Sequence, residues 1–137
     1  MNFGVGGDGT PQVLWRIREG LLDGYQPKAI VLCIGVNNIW AGFDAADTFK
    51  GIETVVTAIC GKCPVIKVPL IGNTHLTADL VHRDRVRAIN AGQAKLADGE
   101  HVEFIDFSEK ILKPDGSLLE NLYAGDKLHL SPAGYEL

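Results

Sequence analysis

Near the end of the chain, Asp126-Lys127-Leu128-His129 places a carboxylate three positions ahead of an imidazole. On one tight turn such a carboxylate accepts a hydrogen bond from the ring, fixing the tautomer and leaving the second nitrogen as a base. The same spacing also occurs as an exposed charge pair. Position favours chemistry here: the turn follows the last apolar run and precedes Ser131-Pro132, a helix cap followed by a first-turn proline. A second pair is Gly7 and Asn37, each just beyond an apolar run. A backbone N–H and a side-chain amide, both neutral donors, are what an oxyanion hole requires, although Asn at a strand end is also a common turn residue.

Two further motifs compete with this reading. Gly4-Val5-Gly6-Gly7-Asp8-Gly9 matches the G-x-G-x-x-G of a dinucleotide fold. That fold needs an acid after its second strand to hold a ribose hydroxyl, and the corresponding run ends Gly35-Val36-Asn37-Asn38, with no acid. Cys60 and Cys63 form a C-x-x-C, but at an expected helix end rather than a helix start, and no second pair completes four zinc ligands. Ordinary thiols, no metal and no organic cofactor are expected.

The elements that must position these residues alternate. Asn2 to Val5 reads as the tail of a strand, followed by a glycine loop and a helix from Pro11 to about Gly24, capped by Thr10, with Val13, Leu14, Ile17 and Leu21 on one face. Ala29 to Ile34 is a continuous apolar run, as in a parallel strand covered on both faces. A helix over Asp47 to Ile59 turns Ile52, Val55, Val56 and Ile59 inward. Val65 to Leu70 reads as a strand whose Pro69, lacking a donor, marks its approaching end. A helix from about Asp79 to Leu96, a strand over Val102 to Phe107, a polar loop and a short last helix complete the order β-α-β-α-β-α-β-α. This pattern predicts one α/β domain over residues 1–137, a three-layer doubly wound parallel sheet with right-handed crossovers, binding ligand beyond the strands' carboxyl ends. Both ends read as truncated: the first strand has two or three residues before its loop, and the last helix stops six residues after its cap.

Bulk properties narrow the function. The formal charge of −4, with no Lys/Arg run, supplies no basic footprint for nucleic acid. No stretch reaches the roughly 20 apolar residues of a membrane span, and residues 1–20 lack the order of a secretion signal. Three cysteines do not make a disulfide framework, so neither compartment nor oligomeric state is legible.

The stretch NFGVGGDGTPQVLWRI, the segment ending LCIGVNN and the block DKLHLSPAGYEL together resemble successive blocks of the SGNH, or GDSL-type, serine ester hydrolases. The likeness covers nearly the whole chain and points to the catalytic subunits of the platelet-activating-factor acetylhydrolases and their bacterial relatives. It implies a flavodoxin-like SGNH fold and hydrolysis of carboxylic esters, with short acyl groups such as acetyl on a small-molecule alcohol. Carried over by position, Gly7 and Asn37 match the oxyanion donors, and Asp126 and His129 the acid and base. Asn38 stands where the family more often has Asp. Trp40 and Phe43 could line an acyl pocket or pack a loop, and Asn73 and His75 are candidates to touch substrate.

The resemblance also implies a Gly-Asp-Ser nucleophile block on a central strand preceding these residues. No such block is present. Ser108, Ser117 and Ser131 are the only serines, and none stands at a strand-to-helix turn. The chain alone is therefore expected to be inactive, with its central strand missing and any export signal ahead of it. A noncatalytic binder of acylated or carbohydrate ligands and, behind it, a dinucleotide-binding domain are the alternatives.

Overall fold

The structure, a computed structural model, describes residues 1–74, 80–115 and 117–137. Helix α1 (Thr10–Arg18) is followed by a short α2 (Val36–Trp40), a long α3 (Ala45–Lys62), strand β1 (Val68–Ile71), α4 (Leu80–Ala94) and strand β2 (Val102–Ile105). Short 3-10 turns at Ser108–Lys110, Glu120–Leu122 and Gly134–Glu136 punctuate the rest. The final segment is thus a single turn rather than a helix. α3 begins where Asp44 accepts a hydrogen bond from the Asp47 N–H at 2.7 Å.

α1 is shorter than its apolar pattern suggests, for a reason local to Gly20. That residue adopts φ 95°, and the N–H groups of Leu21 and Gly20 bond back to the carbonyls of Arg16 and Ile17. These bonds use up the last carbonyls of the helix, and the left-handed residue turns the chain away. At the other end the capping position belongs to Gly9, with Thr10 already helical. The Thr10 side chain faces α3 at Gly51, where an added Cβ would fall 2.2 Å from the Thr10 hydroxyl oxygen.

β1 and β2 pair in parallel, Val68 beside Val102 and Ile71 beside Ile105. The run 29–34 lies along the other edge of β1, but as two separate parallel bridges, Ala29 with Lys67 and Leu32 with Leu70. Pro69 explains the interruption. Along this edge the N–H groups of Lys67 and Ile71 donate to Lys28 and Leu32, while those of Ile30 and Leu32 donate to Lys67 and Pro69. The remaining bond of the ladder would need an N–H on Pro69, which has none. Pro69 therefore sits inside its strand instead of ending it.

Side chains alternate across the sheet. Leu32, Val68, Leu70 and Val102 share one face and are buried with Ile17 of α1, Ile52, Val55 and Ile59 of α3, and Val86 and Ile89 of α4. Right-handed crossovers advancing in one direction put all their helices on the same face. On the opposite face Val31 is 67% exposed and Ile105 38%, with Cys33 and Glu103 also exposed. Two layers, not three, are seen among the described residues. Asn2 to Val5, expected as a strand, has no strand beside it to pair with and remains irregular.

Candidate active site

The glycine loop and Asn37 meet across a short gap. Asp8 N–H donates to the Val5 carbonyl at 3.2 Å, and Gly7, at φ 85°, stands exposed at the turn's tip. Its N–H makes no backbone hydrogen bond among the described residues. Asn37, the second residue of α2, donates its amide to the Asp8 carbonyl at 2.9 Å. An amide NH₂ carries two donor hydrogens, so one is left over.

Two residues to which the sequence assigns no role in the site hold this arrangement. Arg16 of α1 pairs with the Asp8 carboxylate and donates to the Phe3 carbonyl at 2.8 Å, clamping the loop from below. Asn38, 2% exposed, accepts from the Thr10 N–H at 2.9 Å and donates to the Thr10 hydroxyl at 2.8 Å. The start of α1 is thereby tied to α2, and the two candidate donors keep their spacing. The available signal was the polar pair Asn37-Asn38 directly after an apolar run, of which one amide had to turn inward.

The Asp126 turn is built by a hairpin. Tyr123 and Leu130 pair antiparallel, Ala124 N–H donates to the His129 carbonyl at 2.8 Å, and Lys127 takes the left-handed conformation at φ 55°. Asp126 Oδ1 accepts the backbone N–H groups of Leu128 and His129, each at 3.0 Å, and Oδ2 lies 2.6 Å from His129 Nδ1. A carboxylate can only accept, so Nδ1 carries the proton, and in the neutral ring Nε2 keeps its lone pair. The His129 ring bond, with help from the two backbone N–H groups, pulls the Asp126 carboxyl down to about 2. Leu128, between the two, packs against the main core, while Leu130 packs into a second small cluster around Ile111, Leu122 and Tyr123. No hydrogen bond among the described residues joins this pair to the Gly7 and Asn37 loops.

The remaining candidates divide. Trp40, three residues after Asn37 in α2, is 55% exposed with its ring 5.5 Å from that of His82 on α4. Phe43 is 41% exposed. Asn73 is placed otherwise than a substrate-facing loop residue. It is 3% exposed, donates to the Ile34 carbonyl and Gln93, and exchanges bonds with Asn90 at 2.9 and 3.0 Å. Its burial follows from its position at the carboxyl end of β1, where an amide can tie the adjacent run to α4. His75 lies outside the described residues.

Each serine hydroxyl donates to a neighbour other than histidine: Ser108 to Asp106, Ser117 to Asp115 at 2.6 Å, and Ser131 to the Asn121 carbonyl at 2.8 Å. Burial and the nearby Asp98 and Cys63 push the Cys60 thiol up, opposite to the shift of a reactive redox cysteine. Among the described residues no group of His, Cys, Asp or Glu could hold a metal ion, and no helix is long and apolar enough to cross a membrane.

Parallel strands, helical crossovers and polar loops gathered beyond the carboxyl ends make this a parallel α/β domain. The chain belongs to the GDSL-like lipase/acylhydrolase family, whose model matches residues 1–137. It is 34% identical over 141 residues to platelet-activating factor acetylhydrolase IB subunit alpha1 of Homo sapiens, covering 98% of this chain and 58% of that protein. It therefore spans less than two thirds of the curated relatives it matches. A solved protein from Streptococcus pneumonia, named for platelet activating factor, superposes with TM-score 0.83 at 23% identity, over 99% of this chain and 67% of the other. A GDSL-like lipase from Bacteroides thetaiotaomicron does so with TM-score 0.77 at 20% identity, over 97% and 68%.

Proposed function

We propose that residues 1–137 supply the base, its orienting acid and two oxyanion donors of a carboxylic ester hydrolase whose serine nucleophile lies outside them. The observation that carries this reading is the 2.6 Å contact of His129 Nδ1 with Asp126, which leaves Nε2 as an acceptor. In the mechanism, His129 Nε2 takes the proton of the attacking serine as its oxygen bonds to the ester carbonyl carbon. The Asp126 carboxylate stabilises the resulting imidazolium. Gly7 N–H, the spare Asn37 hydrogen and the serine's own N–H hold the tetrahedral oxyanion. The carbon–oxygen bond to the alcohol breaks as His129 returns the proton to it. Water, again deprotonated by His129, then releases the acid from the acyl-enzyme.

Family likeness favours short acyl groups, acetyl above all, with Trp40 near enough to Asn37 on α2 to border the acyl side. Neither a metal nor an organic cofactor enters this mechanism. Alone, residues 1–137 are inactive under this reading, in keeping with three serine hydroxyls that all serve other acceptors.

The test is to express these residues together with whatever the reading frame encodes upstream of the Met1 codon and to assay p-nitrophenyl acetate. Hydrolysis should fall by about 10⁴ or more in His129→Ala, while residues 1–137 by themselves give none. Hydrolysis that survives His129→Ala would sink the assignment. An upstream segment without a nucleophile, in a protein that binds an acylated ligand without turnover, would favour a noncatalytic binder instead.

A further inference from the structure

The ladder between β1 and the 29–34 run ends with an exchange of donors. The N–H groups of Lys67 and Ile71 donate to the Lys28 and Leu32 carbonyls, so the next step would run from the Asn73 N–H to the Ile34 carbonyl. The backbone does not take that step. The Asn73 N–H donates instead to Asn90 Oδ1 at 2.9 Å, and the Asn73 side-chain amide takes over the Ile34 carbonyl at 3.2 Å. With the donor moved to the end of a side chain, Ile34 stays satisfied while the two runs part beyond Ile71. Gly35 follows at φ 126°, and its carbonyl accepts the Asn38 and Ile39 N–H groups that open α2. An added Cβ there would stand 3.1 Å from both polar atoms of the Asn73 amide and from Ile52 Cδ1, so Asn73 also packs on the residue that aims α2. Asn73 is held in turn from α4, where Asn90 Nδ2 donates to its carbonyl at 3.0 Å and Gln93 Oε1 accepts from its amide at 3.3 Å. Gln93, wholly buried, leaves its own Nε2 without an acceptor among the described residues. A buried orphan donor opposes folding, which points to a role for this cluster besides holding the fold together.

We infer that Asn73 is a positioning residue for the oxyanion donor Asn37, with Asn90 and Gln93 fixing Asn73 in its place. The route is short. Ile34 and Gly35 lead directly into α2, and Asn37 is the second residue of that helix, its amide directed at the Asp8 carbonyl at 2.9 Å. Asn38 ties α2 to α1, and Asn73 ties its start to β1 and α4. With only the first tie left, this five-residue helix can pivot, and the spare Asn37 hydrogen loses its aim. Asn73 does not touch substrate in this account, in keeping with its 3% exposure. The inference rests on the ester hydrolase reading for what Asn37 does, but not for the coupling of Asn73 to Asn37.

The test combines amide exchange in residues 1–137 with hydrolysis of p-nitrophenyl acetate by the upstream-extended protein. Asn73→Ala should speed exchange of the Asn37 side-chain amide by about tenfold or more, as its bond to Asp8 loosens. In the extended protein the same change should lower kcat by about 10–10²-fold and leave KM little changed, the cost of a donor displaced by about 1 Å. Because Asn73 acts through Asn37, adding Asn73→Ala to Asn37→Ala should cost nothing further. Should Asn73→Ala fail to fold, Asn73→Leu, which keeps the branched shape but has no donor, makes the same comparisons. On the unaltered chain the Asn73 side-chain amide should exchange about tenfold or more slower than that of exposed Asn2. Equal rates for those two amides, unchanged Asn37 exchange in the variant, a rise in KM with kcat unchanged, or a full further loss on top of Asn37→Ala would each overturn the inference. An extended protein without His129-dependent hydrolysis counts against the ester hydrolase reading and leaves exchange at Asn37 to decide the coupling. His129-dependent hydrolysis that Asn73→Ala does not slow overturns the positioning role alone.

Discussion

Asn37 and Asp126 do different work with the same resource, a small polar side chain whose hydrogen bonds are counted. Asn37 has two amide hydrogens and one observed acceptor, the Asp8 carbonyl. In the complete enzyme, Asn37→Ala should lower kcat about 10²–10³-fold, the usual cost of one oxyanion donor, with KM for p-nitrophenyl acetate little changed. Asp126 accepts three bonds and has its carboxyl held near 2, below the 3.8 of a free side chain. A depressed carboxyl contributes to the turn in full above 3.8 and loses that contribution as pH falls through about 2. The downfield proton resonance of His129 Nδ1–H should accordingly persist to about pH 3 and vanish near pH 2, and be absent throughout in Asp126→Asn. The D-x-x-H pair was legible because both groups sit on one four-residue turn, where spacing alone sets the geometry. Asn38 and Arg16 were not, because their partners lie 28 and 8 residues away and only packing chooses them.

Elements follow local rules until a neighbour intervenes. The inward positions Ile17, Ile52, Val55, Val56, Ile59, Val86 and Ile89 are buried as the helical period requires. The end of α1 and the length of the 29–34 strand are different, since the first depends on a left-handed Gly20 and the second on which edge Pro69 faces. Pro69→Val should restore the missing donor to Ile30 and turn two bridges into one ladder. Its hydrogen bond is worth about 0.5–1.5 kcal/mol, and losing the proline costs about 0.4–1 kcal/mol through the unfolded chain. The two nearly cancel. Melting temperature should hardly move, while the new amide at position 69 should exchange slowly, and fast exchange there would refute the pairing.

On the scale of the whole molecule, two apolar clusters divide the work. The main core joins α1, α3, α4 and the sheet, whereas Ile111, Leu122 and Tyr123 form a separate nucleus beneath the hairpin that presents Asp126 and His129. Ile111, fully buried, should cost about 2–5 kcal/mol when cut to Ala. Because the clusters are separate, hydrogen exchange should accelerate across residues 117–137 and leave α1, α3 and α4 nearly unchanged. Uniform acceleration would show that the two clusters melt as one. The open sheet face belongs to this scale as well, since no element among the described residues covers Val31 and Ile105 there.

The sequence by itself determined the family, the order of helices and apolar runs, and the D-x-x-H turn, because each rests on residue identity within a few positions. Tertiary structure alone decided which asparagine turns inward, why a proline interrupts one edge of β1 without ending it, and that the helices gather on a single face. Those outcomes depend on contacts between distant segments, where the choice of neighbour, not the choice of residue, sets which hydrogen bonds and apolar surfaces are satisfied.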